Sequence, residues 1–286
     1  MIAFCADLTD REILRKNARI GSVVALGVGT VSLIADLGRP ERFLNMMRTF
    51  KPSSPMNMGT WILTANGMAA AFTFANELDR IMGEKLPLGP LRSLARALER
   101  PAGYGQAVTS GPLAVYTAVL LGDSSLPSWN GAKRSLPFLF ASSATLAASG
   151  MSMIMSPVSE NGPVRNLALV GVAGDMLSLK AMKKEMHPVE WEPLEKGKAG
   201  KKMHLAEKFL IAGAVTGLFA RKHRAIAIAS GACLATASAL TRFGILDAGF
   251  ESARDPKYTV IPQKDRLAKR RAKGIVHDSI VTGPES

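Results

Sequence analysis

Long stretches without a charged residue constrain the fold of this chain more than any other feature. Five of them contain no Asp, Glu, Lys or Arg, and they cover residues 20–35, 58–76, 101–122, 135–159 and 225–241. A helix that crosses a bilayer needs about 20 mostly apolar residues. A helix of a soluble protein instead carries charge on its water-facing side at nearly every turn. The pattern therefore predicts an integral membrane protein.

Two shorter stretches extend the pattern, residues 166–179, which Asp175 alone interrupts, and residues 209–220. The sequence thus predicts an all-α, polytopic bundle of about seven transmembrane helices. We place these helices at residues 18–37, 57–77, 103–122, 134–156, 163–182, 204–221 and 224–243. The segments are rich in Gly, Ala, Ser and Thr, which let membrane helices approach closely.

The predicted organisation has three parts. Residues 1–16 form a short charged N-terminal segment, residues 17–245 the transmembrane helical bundle, and residues 246–286 a basic, polar C-terminal tail. The tail after Gly249 is polar, and we expect it to be extended or disordered.

The formal net charge of +13 resides between the apolar segments. In a soluble protein this excess would suggest nucleic acid as a partner, but next to membrane helices anionic lipid headgroups account for it. We therefore expect a multi-pass protein of the cell membrane that binds no nucleic acid. Lys and Arg are almost equally numerous on the two predicted sides, so their distribution does not define the orientation.

The chain lacks the residues that hold common redox centres. Its two cysteines, Cys5 and Cys233, are too few for an iron–sulfur cluster, which needs four thiolates. None of its four histidines lies inside an apolar segment, where the axial ligands of a membrane haem would be required. We predict no haem, no iron–sulfur cluster and no metal site in this chain, and no catalytic residue.

A polar motif follows the first predicted helix. The sequence Asp36-Leu-Gly-Arg39-Pro40 ends that helix, and Ser54-Pro55 begins the next one, with Trp61 six residues after Pro55. Asp36 and Arg39 lie a turn apart at the membrane interface, where a carboxylate is costly unless it is paired. Two interpretations stay open: an ion pair that stabilises the turn, and a polar mouth for an amphipathic redox molecule.

Two further residues stand out inside apolar segments. Tyr116 lies in the third helix, where its hydroxyl needs a hydrogen-bond partner, either a ligand or a backbone carbonyl. Asp175 is the one acid within an apolar segment, and a proton-transfer role and a protonated packing group are both open. Glu77 and Glu160 lie at helix ends, where we expect water to solvate them.

These motifs resemble a known family. The D-L-G-R-P element at 36–40, followed by S-P-M-x-x-G-x-W at 54–61, is similar to the NrfD-like membrane subunits of the polysulfide reductase (NrfD/PsrC) family. Further similar elements occur in the same order at residues 116–121, 129–130, 135–138, 255–259 and 262–263.

The resemblance implies a haem-free anchor subunit in membrane electron transport, which is not catalytic alone. Such an anchor exchanges electrons between menaquinone or ubiquinone and an extrinsic four-cluster-type iron–sulfur subunit, which serves a molybdenum or tungsten catalytic subunit. Tyr116 matches the tyrosine that contacts quinone in the family. We expect the quinone to be bound by Asp36, Arg39, Trp61 and Tyr116, and protons to be transferred by Asp175.

Family members usually have eight helices, one of them before the D-L-G-R-P helix. Here a charged segment of only about sixteen residues precedes that helix, which is too short to span a bilayer, so we expect no counterpart of the first family helix. A truncation, a misassigned start and a helix from another subunit would each explain this. Two other functions stay open, a structural anchor that binds no quinone and an independent transporter or channel.

Overall fold

A computed structural model describes residues 1–85, 87 and 89–273. Those residues form α-helices and one short 3-10 helix, with no β-strand among them. The elements in chain order are α1 (Ile2–Leu8), α2 (Glu12–Asp36), η1 (Pro40–Arg42), α3 (Phe43–Arg48), α4 (Pro55–Ile81), α5 (Leu91–Gly122), α6 (Pro127–Gly131), α7 (Leu136–Met155), α8 (Gly162–Glu185), α9 (Pro188–Glu195), α10 (Gly197–Phe219), α11 (Arg224–Arg254) and α12 (Lys257–Ala272).

The predicted helical bundle is confirmed. Each of the seven predicted helices has a counterpart, namely α2, α4, α5, α7, α8, α10 and α11. Several extend beyond the apolar segments, because the backbone continues its helical hydrogen bonds through charged residues at the bundle ends. Helix α5 begins at Leu91 rather than at residue 103, and α11 ends at Arg254 rather than at residue 243.

Three of the described helices are both long and apolar enough to cross a membrane by length and composition: α2, α7 and α11. The remaining predicted spans are long enough, but they carry more polar residues. Helix α4, for example, buries Asn66, Thr73, Asn76, Glu77 and Asp79 along one face. Their burial inside the bundle explains how a helix of moderate hydropathy can belong to a membrane protein.

The long helices alternate in direction, so their ends fall into two sets. We call one set the Asp36 end: it contains the C-termini of α2, α5, α8 and α11, the N-termini of α4, α7 and α10, and the short elements α3, α6, α9 and α12. The other set, the Glu77 end, contains α1, the C-termini of α4, α7 and α10, and the N-termini of α2, α5, α8 and α11.

The bundle has two halves, which differ in their interiors. The N-terminal half comprises α1 to α5 and the C-terminal half comprises α6 to α12. Apolar residues of the C-terminal half, together with Ala118 of α5, form one core around Trp129 at the Asp36 end, where the indole N–H donates to the Ile245 carbonyl at 2.7 Å. A second core at the Glu77 end joins Leu14 of α2 to Leu146 and Leu234 of the C-terminal half. The two halves therefore pack as one bundle.

The predicted extended or disordered tail was wrong for residues 257–272, which form α12. The predicted boundary at residues 245 and 246 lies within α11. Tyr258 and Pro262 are buried, and the Arg266 guanidinium lies 3.3 Å from the Glu190 carboxylate of α9. These three side chains recur every four residues, which places them on one helical face. Residues 274–286 of the predicted tail lie outside the described residues.

Candidate functional site

The first turn of α4 is built by capping at the Asp36 end. The Ser54 hydroxyl accepts a hydrogen bond from the Asn57 N–H, and Pro55 occupies the first helical position, where its missing N–H costs nothing. The Asn57 amide donates to the Thr49 carbonyl at 2.8 Å and accepts from the Lys51 N–H at 2.8 Å. These bonds hold the segment after α3 against the start of α4.

Trp61 also contacts the segment between α3 and α4. Its indole N–H lies 3.4 Å from the Thr49 carbonyl, and its ring contacts Phe50 edge-on, with 5.9 Å between the ring centroids. Because the chain connects Asp36 to this region through η1 and α3, Trp61 lies at the same end of the bundle as the D-L-G-R-P motif.

Asp36 and Arg39 are both exposed, and no ion pair joins them. Neither makes a hydrogen bond or an ion pair with another residue that the structure describes. The turn is therefore not stabilised by pairing between these two side chains, and both charges remain open to water, headgroups or a ligand.

Tyr116 packs directly against α4. Its ring covers Gly59 so closely that a Cβ at that position would overlap with the ring. The absence of a side chain at Gly59 thus provides the space for the ring, two residues before Trp61. Tyr116 is half-buried, and its hydroxyl has no hydrogen-bond partner in the described part of the chain. The structure therefore brings Tyr116 and the Gly59–Trp61 segment together, while no hydrogen bond links either one to Asp36 or Arg39.

A line of hydrogen-bonded polar side chains joins α2, α4 and α5 inside the N-terminal half. The Asn66 amide donates to the Thr109 hydroxyl at 2.8 Å and to the Gln106 carbonyl at 3.0 Å. The Gln106 side chain in turn contacts the Thr73 hydroxyl at 3.4 Å and donates to the Ser22 hydroxyl at 3.0 Å. Helices α2, α4 and α5 are thus joined by polar contacts rather than by an apolar core.

The line reaches a buried ion cluster at the Glu77 end. Arg19 of α2 donates to Glu77 of α4 at 2.8 Å and also to Glu99 of α5. Arg80 holds Glu99 through both of its terminal nitrogens, at 2.6 and 2.7 Å. Arg19, Glu77 and Glu99 are each at most 4% exposed. The expectation that water solvates Glu77 was therefore wrong: arginines surround it.

A third carboxylate in the cluster, Asp79, is 1% exposed and is held by Arg92 at 3.1 Å and by Arg96 at 3.0 Å. The sequence contained a signal for this cluster that we did not use. Acids and arginines recur at adjoining ends of three consecutive helices, within residues 15–19, 77–80 and 92–99. The three acids in these ranges lie among a larger number of basic residues at neighbouring helix ends, which indicates mutual pairing.

The arginines set the protonation of Glu99, which precedes the apolar stretch of α5. Burial alone would raise the pKa of the Glu99 carboxyl, but hydrogen bonds from Arg80 and Arg19 outweigh this effect and lower the pKa below its ordinary value. The carboxylate therefore stays charged at neutral pH, and the cluster can function as a fixed ionic joint.

Asp175 occupies a different environment, in the C-terminal half. It is 2% exposed, and its Oδ1 atom has no partner among the described residues. Gly171 and Gly174 of the same helix, α8, lie against Leu146 and Ser142 of α7. Described hydrogen bonds form no connection between Asp175 and Tyr116. In the described ranges no group of three His, Cys, Asp or Glu side chains could hold a metal ion, and the absence of haem and iron–sulfur clusters stays a prediction.

Fold and site together define a polytopic helical membrane subunit. A family model described as polysulphide reductase, NrfD, matches residues 4–162, which is more than half of the chain. The chain belongs to this family, and it is a membrane anchor subunit of the kind found in oxidoreductase complexes. The match includes Asp36, Tyr116 and the ion cluster, whereas Asp175 lies beyond it. No curated protein and no solved structure matches the chain.

Proposed function

We propose that this chain is the quinone-interacting anchor of a multi-subunit oxidoreductase. The proposal rests above all on the Tyr116 hydroxyl, a polar group on a membrane helix that has no hydrogen-bond partner among the described residues. Tyr116 is only half-buried, and its hydroxyl is not among the fully buried atoms without a partner, so it is open to a hydrogen-bonding ligand from outside the bundle. A quinone carbonyl is an acceptor of suitable chemistry.

The surroundings of Tyr116 fit an amphipathic ring. Its own ring is positioned by Gly59, so that the hydroxyl has a defined location on α5. Trp61 and Phe50 add aromatic surface at the same end, while Asp36 and Arg39 are exposed and charged. When bound, menaquinone or ubiquinone would supply two-electron, two-proton redox chemistry. Tyr116 would hold a carbonyl oxygen, and the exposed Asp36 carboxylate would exchange protons with water, while Arg39 would add a fixed positive charge.

The depth of Tyr116 below the Asp36 end of the bundle supports the same arrangement. Tyr116 precedes the end of α5 at Gly122 by six residues, so it lies roughly 9 Å inside that end at a rise of about 1.5 Å per residue. Asp36 and Arg39 lie at and beyond the end of α2, which is shallower. A redox partner docked at the Asp36 end would therefore be close to the ring without electron transfer across the bilayer.

We also propose the partners, an extrinsic four-cluster-type iron–sulfur subunit and a molybdenum or tungsten catalytic subunit. Helices α6, α9 and α12 pack together at the Asp36 end and give the bundle a structured surface there. Affinity purification from native membranes tests this proposal. We expect an iron–sulfur protein to co-purify in fixed stoichiometry, and isolation of the chain alone would favour a transporter or channel instead.

Removal of the Tyr116 hydroxyl tests the proposed quinone site. Tyr116→Phe keeps the ring on Gly59 and removes the hydroxyl, so it should weaken binding of a quinone analogue to the complex by about 0.5–1.5 kcal/mol. Tyr104→Phe is the matched control, since Tyr104 lies on the same helix, 62% exposed and nearer the Glu77 end. Equal affinities for wild type and both variants would support a structural anchor that binds no quinone here.

Asp36→Asn separates quinone chemistry from electron transfer in the partner subunits. The substitution removes the exposed carboxylate but keeps its size, so quinone-linked turnover should fall while reduction of a soluble dye by the partners continues. Glu41→Gln is a suitable control, because Glu41 is an exposed acid in the same connection. Equal losses of both activities would indicate that Asp36 supports assembly rather than proton exchange.

A role of Asp175 in proton transfer is a further proposal. A carboxyl group that is buried without a partner for Oδ1 is costly, and a function would account for its presence. Asp175→Asn should slow proton-coupled quinone turnover while the complex still assembles. Turnover equal to that of the wild type would identify Asp175 as a packing residue.

A further inference from the structure

A cavity of about 240 Å³ opens between α8 and α10 at the Glu77 end, far from the proposed quinone site. Its mouth is lined by Arg165 of α8 and by Arg221, which follows α10. Apolar side chains, among them Leu169, Val172, Leu218 and Leu234, form much of its remaining wall, together with the polar Asn166 and Ser230. The cavity thus combines two cations with an apolar cleft.

Among the residues that the structure describes, no carboxylate serves as a counterion for either arginine. The Arg165 guanidinium donates to the Ala220 carbonyl at 3.5 Å, and both arginines line the same cavity, where their like charges repel each other. Neither forms an ion pair with a carboxylate in residues 1–85, 87 and 89–273. Arg224, three residues further on, is different, because it donates to the carbonyls of Met153, Ile154 and Ser156 at the end of α7. Arg224 is thus satisfied by the protein, whereas Arg165 and Arg221 together favour an external anion.

The geometry of the cavity limits what that anion can be. Arg165 is three residues from the start of α8, which places it near the interface, roughly 5 Å along the helix. Leu169 and Val172 follow at roughly 6 and 10 Å deeper. Leu169 is 42% and Leu218 60% exposed, so the cleft is open towards the surface that faces the lipid. A small inorganic anion would neutralise the arginines but leave this apolar cleft uncovered.

We infer that the cavity between α8 and α10 is a binding site for an anionic phospholipid. The phosphate group lies between Arg165 and Arg221, and one acyl chain follows Leu169, Val172 and Leu218 into the cleft. Basic pockets between membrane helices have the chemistry that anionic headgroups require. Because the site lies at the Glu77 end, its occupancy is independent of the proposed quinone site at the Asp36 end.

Native mass spectrometry of the full chain, released from a neutral detergent, tests the inference. Phosphatidylglycerol should bind in preference to phosphatidylcholine. Arg165→Gln and Arg221→Gln should each lower the affinity for phosphatidylglycerol by about tenfold, as expected for loss of one charge-assisted hydrogen bond. Equal retention of the two lipids by the wild-type chain would overturn the inference.

Two control variants exclude simpler explanations. Lys222→Gln removes the same charge one residue from Arg221, but Lys222 does not line the cavity, so lipid affinity should not change. Ala214→Leu fills part of the apolar cleft and keeps both arginines, so it should weaken phosphatidylglycerol binding. A loss with Lys222→Gln as large as with Arg221→Gln would indicate general surface attraction. Displacement of the lipid by an equal concentration of inorganic phosphate would indicate a plain anion site. Either result would refute the lipid site.

Discussion

The helices of the two halves are held together by different kinds of contact. In the N-terminal half, charged and polar side chains meet between α2, α4 and α5, with Arg19, Glu77 and Glu99 almost fully buried. In the C-terminal half, backbones approach each other directly at small residues. Gly150 of α7 lies against Gly231 of α11, and a Cβ at either position would be 2.5 Å from the carbonyl oxygen of the other.

Serines and glycines complete the contacts of the C-terminal half. The Ser143 and Ser238 hydroxyls of α7 and α11 are 2.8 Å apart, and Ser230 donates to the Gly213 carbonyl at 2.7 Å. Gly213 also accommodates Leu234, which would overlap with a Cβ there. Such packing depends on shape and needs no charge.

We propose that this contrast separates the functional part of the bundle from its scaffold. A buried ion cluster is costly to desolvate and is retained most readily where it specifies one arrangement of helices. The residues that match the family, 4–162, contain the whole cluster and the proposed quinone site. We infer that the polar half positions the site, while the small-residue half provides most of the close helix packing.

The largest expected effect comes from breaking the ion cluster. Arg19→Gln removes the arginine that links Glu77 to Glu99 and leaves two buried carboxylates with fewer partners, so it should cost about 3–5 kcal/mol of stability. Thermal unfolding in detergent measures the change. Arg100→Gln is the control, because Arg100 is 73% exposed and 3.7 Å from Asp7. Similar unfolding temperatures for the two variants would contradict the central position of Arg19.

A smaller effect should follow from adding one methyl group to the C-terminal half. Gly150→Ala places a Cβ against the Gly231 carbonyl, which should force α7 and α11 apart and cost about 1–3 kcal/mol. Gly67→Ala in α4 is the matched control, since nothing lies within 4 Å of a Cβ at that position. If both alanines are tolerated equally, the close contact between α7 and α11 does not stabilise this half.

The smallest expected effect is on the stability of the protein at acid pH. The pKa of Glu99 is lower in the folded protein than its ordinary value of about 4.3. Its stabilising contribution should therefore be complete above that value and be lost as the pH falls through the lowered pKa. The unfolding temperature of the wild type should decline in this acid range more steeply than that of Glu99→Gln. Parallel declines would show that Glu99 does not contribute to the acid sensitivity.

Much of the fold followed from the sequence because the charge-free stretches are long and sharply bounded. The seven longest helices were predicted, including the separation of the last two, α10 and α11, near residues 221–224. The tail was not, because a run of charges resembles a disordered segment unless its spacing is considered. Tyr258, Pro262 and Arg266 form a helical face that only their contacts with the bundle make evident.

The candidate site could be predicted only in part. Tyr116 and Trp61 were identified by their residue type within apolar surroundings, but the importance of Gly59 depends on a contact between two helices. Glu77 was assigned to solvent, because a position near a helix end does not indicate how deeply neighbouring helices cover it. Pairing across three helices is a tertiary property, and the charges involved are up to 80 residues apart along the chain.

The central claim is that quinone binds to the N-terminal half at the Asp36 end. Photoaffinity labelling of the intact complex with an azido-quinone tests it most directly. Peptides that include residues 36–61 and 112–122 should carry the label, and an excess of unmodified quinone should prevent it. Tyr116→Phe should reduce the labelling, whereas Tyr104→Phe should not. Specific labelling confined to α8, α10 or α11 would contradict the account and place the quinone in the C-terminal half.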